Sequence, residues 1–207
     1  MPTRRPRVRG LDWARPALAA LILLAGCARE APDVQAVRKA SNRYLAALVR
    51  KDVETVKRTA TNVVSMTSVA GARVLAIGPA EPRRMAALDS LLAAADRERR
   101  RADSLWALSR DETADSLFQR LRGLNRLYVT VRCAQRAAQA SLPESSLVGA
   151  TPIELRRVRV RVRYAGSRVG PRAVDREMLL RLVRAGRGDW IVFSLYLPGD
   201  DPFPRLD

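Results

Sequence analysis

The stretch RRVRVRVRY, residues 156–164, decides the fold class of this 207-residue chain, because apolar and charged residues alternate along it with a period of two. Successive side chains of a β-strand point to opposite faces of a sheet. The stretch therefore predicts a strand that buries its valines on one face and turns its arginines to the other. The arginines of that second face, which we call the arginine row, are Arg157, Arg159, Arg161 and Arg163.

Two more strands are predicted after this one. The second runs from about Asp175 to Arg184, and the third, with the sequence WIVFSLYL, from Trp190 to Leu197. Between them, AGRGD at residues 185–189 is typical of a tight hairpin turn rather than of an integrin ligand. We therefore expect a three-stranded antiparallel meander over residues 155–197, followed by an irregular tail over residues 198–207.

The residues before the meander have helical periodicity. Apolar residues recur every three or four positions from Arg83 to about Ser109 and from Asp111 to about Ala140, so we expect a helical hairpin over residues 83–140. The segment LYVTVR at residues 127–132 favours a strand, so the second helix could instead end near Gly123. The charged run DRERRRAD is typical of a solvated helix face rather than of a binding patch.

Two helices are also predicted at the start of the domain. Asp33 is placed to cap a helix that begins at Val34, and Asp52 to start a shorter helix that ends near Thr59. Residues 62–78 are small or β-branched, and their pattern fits either strands or an irregular crossover. A proline further on, Pro82, suits the first turn of the helix that follows it.

Together these patterns predict a single α+β domain over residues 33–197. The amino-terminal helices and the central helical hairpin would pack on one face of the carboxy-terminal meander. A leading helix pair and a final strand of the form GDWIVF resemble the NTF2-like superfamily of cone-shaped domains, over Val34 to Thr59 and Leu155 to Leu197. The resemblance implies a cone with a pocket, in which isomerase-type enzymes need a buried aspartate or tyrosine. The tyrosines available are Tyr44, Tyr128, Tyr164 and Tyr196.

The first residues of the chain indicate its location. Arginines precede an apolar run, Ala17 to Ala25, that is too short to span a bilayer as a helix. The run leads into Leu24-Ala25-Gly26-Cys27, which resembles the lipobox of bacterial lipoproteins. The resemblance implies that residues 1–26 are a signal peptide cleaved between Gly26 and Cys27. It also implies that Cys27 carries diacylglycerol and that residues 27–32 tether the domain to the membrane.

An acylated Cys27 makes membrane lipid the first expected partner of the protein, which would be exported and lipid-anchored in the cell envelope. Ala28 follows the cysteine, and in sorted lipoproteins a residue other than aspartate favours the outer membrane, facing the periplasm, in a host with two membranes. An ordinary secretion signal or an uncleaved anchor is the alternative. With Cys27 acylated, Cys133 has no disulfide partner and is expected to be a small buried residue.

Composition limits the chemistry that we expect of the chain. It has no histidine, which excludes Ser-His-Asp and Cys-His nucleophiles and the usual zinc and iron ligand sets. The sequence also has no glycine-rich phosphate loop. We therefore expect no catalytic residue, no metal and no cofactor, and a non-catalytic ligand-binding or scaffolding domain near a membrane surface.

The arginine row is the predicted anion-binding face. The chain has a formal net charge of +17, and like charges side by side repel unless solvent or a polyanion screens them. The expected partners are anionic lipid headgroups or an envelope protein, whereas an exported protein meets little nucleic acid. The alternative for the row is a solvated sheet face that reflects high-GC codon usage.

Two other functions stay open. An NTF2-like pocket enzyme of isomerase type would show a deep apolar cavity with a buried carboxylate or tyrosine. A protein-interaction adaptor would show a large exposed apolar patch on the helical hairpin.

Overall fold

The computed structural model describes residues 30–61, 68–108, 113–142, 148–166 and 172–203. Its helices are α1 (Pro32–Arg50), α2 (Val53–Thr59), α3 (Met85–Leu108) and α4 (Thr113–Ser141), and its strands are β1 (Val69–Arg84), β2 (Pro152–Tyr164), β3 (Val174–Ala185) and β4 (Ile191–Tyr196). These elements confirm the predicted α+β class. Residues 1–26, predicted to be a signal peptide, and the predicted lipidation site Cys27 lie outside the described residues.

The sheet has four antiparallel strands in the order β1-β2-β3-β4, so the predicted meander is present and gains one strand. That strand, β1, includes most of the stretch whose pattern was ambiguous, and residues 62–67 lie outside the described ranges. Pro82 belongs to β1, opposite Glu154, so its predicted place in a first helical turn is wrong. An edge strand tolerates proline because one side of it makes no ladder hydrogen bonds.

Helices cover both faces of the sheet, which corrects the prediction of one covered face. On one face, the valines of β2 pack with Tyr44, Leu45 and Leu48 of α1 and with Val56 of α2. On the other face, the hairpin of α3 and α4 packs on Ile153, Leu155 and Phe193. The reason is a change along β2 itself: the residues of this second face are apolar at 153 and 155 and become arginine from 157 onward.

Helix α4 runs without interruption through Gly123 and the LYVTVR segment, so the alternative of an early helix end is wrong. Tertiary contacts override the strand propensity of this segment. Val131 is fully buried in the core between the hairpin and the sheet. The hydroxyl of Thr130 donates to the carbonyl of Arg126 at 2.8 Å, and it lies 3.1 Å from the hydroxyl of Tyr196.

The amino-terminal helices fix where the chain enters the domain. Helix α1 begins at Pro32, one residue before the predicted cap, and Asp33 lies in its first turn. The Asp33 carboxylate accepts a hydrogen bond from Arg156 of β2 and forms an ion pair of 2.7 Å with Arg184 of β3. The prediction for α2 is confirmed, since the Asp52 side chain accepts from the backbone N–H of Thr55 at its amino end.

Residues 198–203 are more ordered than the predicted irregular tail. They form a 3₁₀ turn at Pro198–Asp200 and then place Phe203 in the core, 4% exposed. The buried Arg181 donates from Nε to Asp201 at 2.6 Å and from Nη2 to the Phe203 carbonyl at 3.0 Å. Because of these contacts, residues 198–203, beyond the predicted domain end at 197, belong to the compact unit that begins at Asp33. None of the helices described is long and apolar enough to cross a bilayer.

Candidate functional site

The arginine row lies on the face of the sheet that carries the helical hairpin, beyond the apolar residues that the hairpin covers. Two of its members are paired with acids from the neighbouring strands. Nε of Arg157 lies 2.6 Å from Oε1 of Glu81 on β1, and Nη1 of Arg159 lies 3.4 Å from Oε1 of Glu177 on β3. The row is therefore partly neutralised, because the strand register brings one acid to it from each side.

The other two members, Arg161 and Arg163, line a shallow groove with Arg73 of β1. The groove has a volume of about 210 Å³ and includes Gly71 and Asp175. In the register, Arg73 lies opposite Arg161, and Asp175 lies opposite Arg163. Within the described ranges, none of the three arginines makes an ion pair. This groove is the part of the predicted anion-binding face that remains open.

Three arginines that could have extended the row have structural partners instead. Arg156 and Arg184 point to the opposite face, where each forms ion pairs with both Asp33 and Glu154. Arg181 does share the face of the row, but it is 3% exposed and paired with Asp201. Burial lowers the pKa of the Arg181 guanidinium, and the adjacent carboxylate opposes that shift.

A second basic surface, which the sequence analysis did not identify, lies between α1, α2 and the turn that joins β3 to β4. We call it the basic cleft, and its volume is about 460 Å³. The basic residues that line it are Lys39, Arg43, Arg58, Arg184 and Arg187. Among the described residues of the lining, Asp189 is the one carboxylate.

One wall of the basic cleft is a face of α1. Ala36, Lys39, Ala40 and Arg43 are spaced at three and four residues, so they share one side of the helix. The two alanines give this wall a small apolar surface, and the two basic residues beside them are exposed. This spacing is visible in the sequence, but the partner wall depends on how the helix packs on the sheet.

The opposite wall is the β3–β4 turn, which backbone contacts hold in place. The N–H of Asp189 donates to the Ser141 carbonyl at 3.1 Å, at the end of α4. Gly188 approaches so closely that a Cβ there would lie 2.0 Å from the same oxygen, and Gly186 has a φ of 52°. The turn therefore presents Arg187 from a fixed backbone.

The floor of the cleft is formed by Trp190, which is 7% exposed. The guanidinium carbon of Arg184 lies 4.8 Å from the centre of an indole ring of Trp190, a cation–π contact. Arg184 also forms ion pairs with Asp33 and Glu154, so carboxylates already neutralise its charge. Lys39, Arg43 and Arg187, by contrast, make no ion pair within the part of the chain that the structure describes.

The helical hairpin has an exposed apolar surface near its tip. Phe118 is 46% exposed and Leu108 is 79% exposed, and the ring of Trp106 lies 6.0 Å from that of Phe118. A groove of about 450 Å³ continues this surface along α4, and we call it the hairpin groove. Its lining residues are Phe118, Leu121, Arg122, Asn125, Arg126, Val129 and Tyr196.

The charged run of α3, residues 96–103, makes ion pairs within the helical hairpin. Asp96 forms ion pairs with Arg99 and Arg100, and Glu98 lies 3.1 Å from Arg120 of α4. Hydrogen bonds from Arg100 and Arg99 lower the pKa of the Asp96 carboxyl. The run is therefore an exposed helix face that pairs with itself and with the other helix of the hairpin.

Two buried titratable groups, Tyr44 and Cys133, are part of the hydrophobic core. Tyr44 is fully buried among apolar side chains, and burial raises its pKa far above the ordinary value. Burial also raises the pKa of the Cys133 thiol, which lies in the core between the hairpin and the sheet. No group of three or more potential metal ligands occurs among the described residues.

Comparison with profiles of known protein families, with curated proteins and with solved structures found no match to this chain.

Proposed function

We propose that this protein is a lipid-anchored, non-catalytic scaffolding module of the bacterial cell envelope. Cys27, acylated after cleavage at Gly26, would hold the domain through the tether of residues 27–32, which reaches at most about 20 Å. The anchor rests on the lipobox-like sequence. The scaffolding role rests on the exposed apolar surface of the hairpin, the feature expected of an adaptor.

The distance between the point where the chain enters the domain and the tip of the helical hairpin supports this role. Asp33, where the chain enters, contacts Arg184 of β3, and Ser141 at the end of α4 contacts the neighbouring Ala185. Helix α4 has 29 residues, so its start lies about 44 Å from Ser141. The apolar tip of the hairpin is therefore far from the point of attachment, where a protein partner can reach it.

The hairpin groove indicates the chemistry of that partner. Phe118 and Val129 are apolar and half exposed, and Arg122 and Arg126 stand between them on the same helix face. Arg126 lies 5.5 Å from the centre of the Tyr196 ring and donates to the Asp200 carbonyl, so it is held at the rim. The groove fits a segment of an envelope protein that inserts an apolar side chain and places carboxylates beside the two arginines.

The alternative of an NTF2-like pocket enzyme has less support. Tyr44 is the most buried tyrosine, yet it does not line the shallow groove beside Arg161 and Arg163, the hairpin groove or the basic cleft. The cavities described here are lined by arginine and open to solvent, rather than enclosing a buried carboxylate. A proton-transfer site needs its titratable group within reach of the substrate.

The scaffolding role is tested by site-specific photo-cross-linking in a bacterial host that expresses the full chain. A photoreactive residue is placed at Phe118, in the hairpin groove, or at Gln119, which is exposed on the same helix but does not line the groove. We expect protein adducts from position 118, far fewer from position 119, and a several-fold loss of the adduct when Arg122→Glu is added, because the charge reversal repels an acidic partner.

Equal adduct yields at positions 118 and 119 would contradict the proposal, because they would show unspecific contact. An adduct at twice the mass of the chain would also contradict it, since the groove would then join two copies rather than recruit a different protein.

A further inference from the structure

We infer that the basic cleft binds a phosphate ester, as either a soluble ester or the headgroup of an anionic phospholipid. This inference does not depend on the hairpin groove or on a protein partner. It rests on three properties of the cleft: its unpaired charge, its fixed walls and its mixed polar and apolar lining.

The basic cleft has an excess of positive charge, which favours an anionic ligand. Lys39 and Arg43 are four residues apart on α1, and Arg187 stands on the facing turn. Three cations that make no ion pair with any described residue therefore converge on one space. Arg58 adds a fourth positive charge, and its described contact is a hydrogen bond of 3.3 Å to the neutral hydroxyl of Thr55. Asp189 offsets one of these charges, which leaves the cleft strongly positive.

The walls of the cleft are set before any ligand arrives. The turn that carries Arg187 is held against the end of α4 by the close approach of Gly188 to Ser141. The parallel bridge between Ala60 and Val192 joins the end of α2 to β4. A preformed site loses less conformational entropy on binding, so its charged contacts contribute more to affinity.

The lining and the size of the cleft favour an ester over a bare anion. About 460 Å³ lies within the range of small-molecule sites and greatly exceeds the space of a few waters. Ala36, Ala40 and the indole of Trp190 supply apolar surface beside the basic groups. Guanidinium groups bind phosphate oxygens through paired N–H donors, so Arg43 and Arg187 are the expected contacts.

The location of the cleft allows either source of phosphate. Lys39 is six residues after Asp33 on α1, or about 9 Å along the helix, so the cleft lies close to where the chain enters the domain. If Cys27 is acylated, a headgroup of the anchoring membrane is within reach. A soluble ester of the same compartment would meet the same side chains.

The test uses the full chain and has two arms. In the first, the chain in neutral detergent is titrated with glycerol 1-phosphate at constant ionic strength, by calorimetry. In the second, the chain is placed in nanodiscs of phosphatidylcholine with or without phosphatidylglycerol, and hydrogen exchange is measured at residues 36–43 and 184–190. The double variant Arg43→Ala with Arg187→Ala is compared with Arg97→Ala with Arg101→Ala, which removes the same charge from exposed positions of α3 that line none of the three cavities.

We expect the cleft variant to lower the affinity for glycerol 1-phosphate, or the exchange protection, by about tenfold or more, and the α3 variant to change either one less than about twofold. Binding in the first arm identifies a soluble ester, and protection that requires phosphatidylglycerol identifies a headgroup; both support the site. The absence of binding in both arms, or an equal loss in both variants, would overturn it.

Discussion

At the scale of single residues, pairing decides which arginines can meet a ligand. Arg181 shares a face with the arginine row, yet its guanidinium is buried against Asp201 and serves the fold. Arg157 is held by Glu81 at 2.6 Å, whereas Arg163, six residues further along the strand, has no ion pair within the described ranges. A buried arginine needs a partner because an unpaired buried charge is strongly destabilising. Free arginines therefore mark the candidate sites.

The hydroxyl of Tyr44 is the clearest residue-scale test of the core. It is buried, and it has no hydrogen-bond partner among the described residues. We expect Tyr44→Phe to raise the free energy of unfolding by about 1 kcal/mol at pH 7, because a buried hydroxyl without a partner destabilises the folded state. Urea unfolding of the full chain, followed by circular dichroism, measures the change.

The Tyr44→Phe variant should also change how the free energy of unfolding depends on pH. Burial raises the pKa of Tyr44 in the folded state, so above pH 10 the unfolded chain loses this proton while the folded chain keeps it. The unfolded state then binds fewer protons, and stability falls as the pH rises, by up to about 1.4 kcal/mol per pH unit. Tyr44→Phe should remove that part of the decline. An unchanged decline, with lower stability at pH 7, would show that the hydroxyl is satisfied.

At the scale of elements, the continuity of α4 determines where the hairpin groove lies. Gly123 sits inside this helix, and a Cβ there would meet nothing within 4 Å. We expect Gly123→Ala to raise the free energy of unfolding by about 0.5 to 1 kcal/mol, because alanine loses less backbone entropy in a helix. Thermal and urea unfolding of the full chain measure it.

The matched control for this substitution is Gly188→Ala. Its Cβ would lie 2.0 Å from the Ser141 carbonyl oxygen, so the β3–β4 turn has to move and the protein should lose stability. If Gly123→Ala were neutral or destabilising, α4 would not be continuous at this position.

The elements differ in how far the sequence could predict them. The valine–arginine alternation of β2 and the apolar spacing of the hairpin each carry one clear period, and both were predicted. Strand β1 carries no clear period, because Gly71, Gly78 and two prolines interrupt it and bulges shift its register. Strand β1 is recognisable as a strand only in the folded structure, where it pairs with β2.

The candidate sites were harder to predict than the elements, for a related reason. The arginine row belongs to a single strand, so its residues could be named, but Glu81 and Glu177 reach it from other strands. The basic cleft joins α1 to the β3–β4 turn, which are more than a hundred residues apart in sequence. No local pattern relates Lys39 to Arg187, since their meeting depends on tertiary packing.

At the scale of the whole molecule, the basic cleft and the exposed apolar surface of the hairpin lie in different parts of the fold. The basic cleft lies near Asp33, where the chain enters the domain, and the apolar tip of the hairpin lies toward the far end of α4. This arrangement suits a module that is held at a membrane at one end and presents a docking surface at the other. The account depends on the membrane attachment at Cys27.

The mass of the full chain, extracted from bacterial membranes, tests that attachment most directly, with Cys27→Ser as the control. We expect a product that begins at Cys27, carries the added mass of diacylglycerol, and is absent from the Cys27→Ser protein. We also expect one reactive thiol per chain in denaturant, Cys133, of the two cysteines in the sequence. An intact amino terminus without lipid in both proteins would contradict the account and make nucleic acid the leading partner of this basic chain.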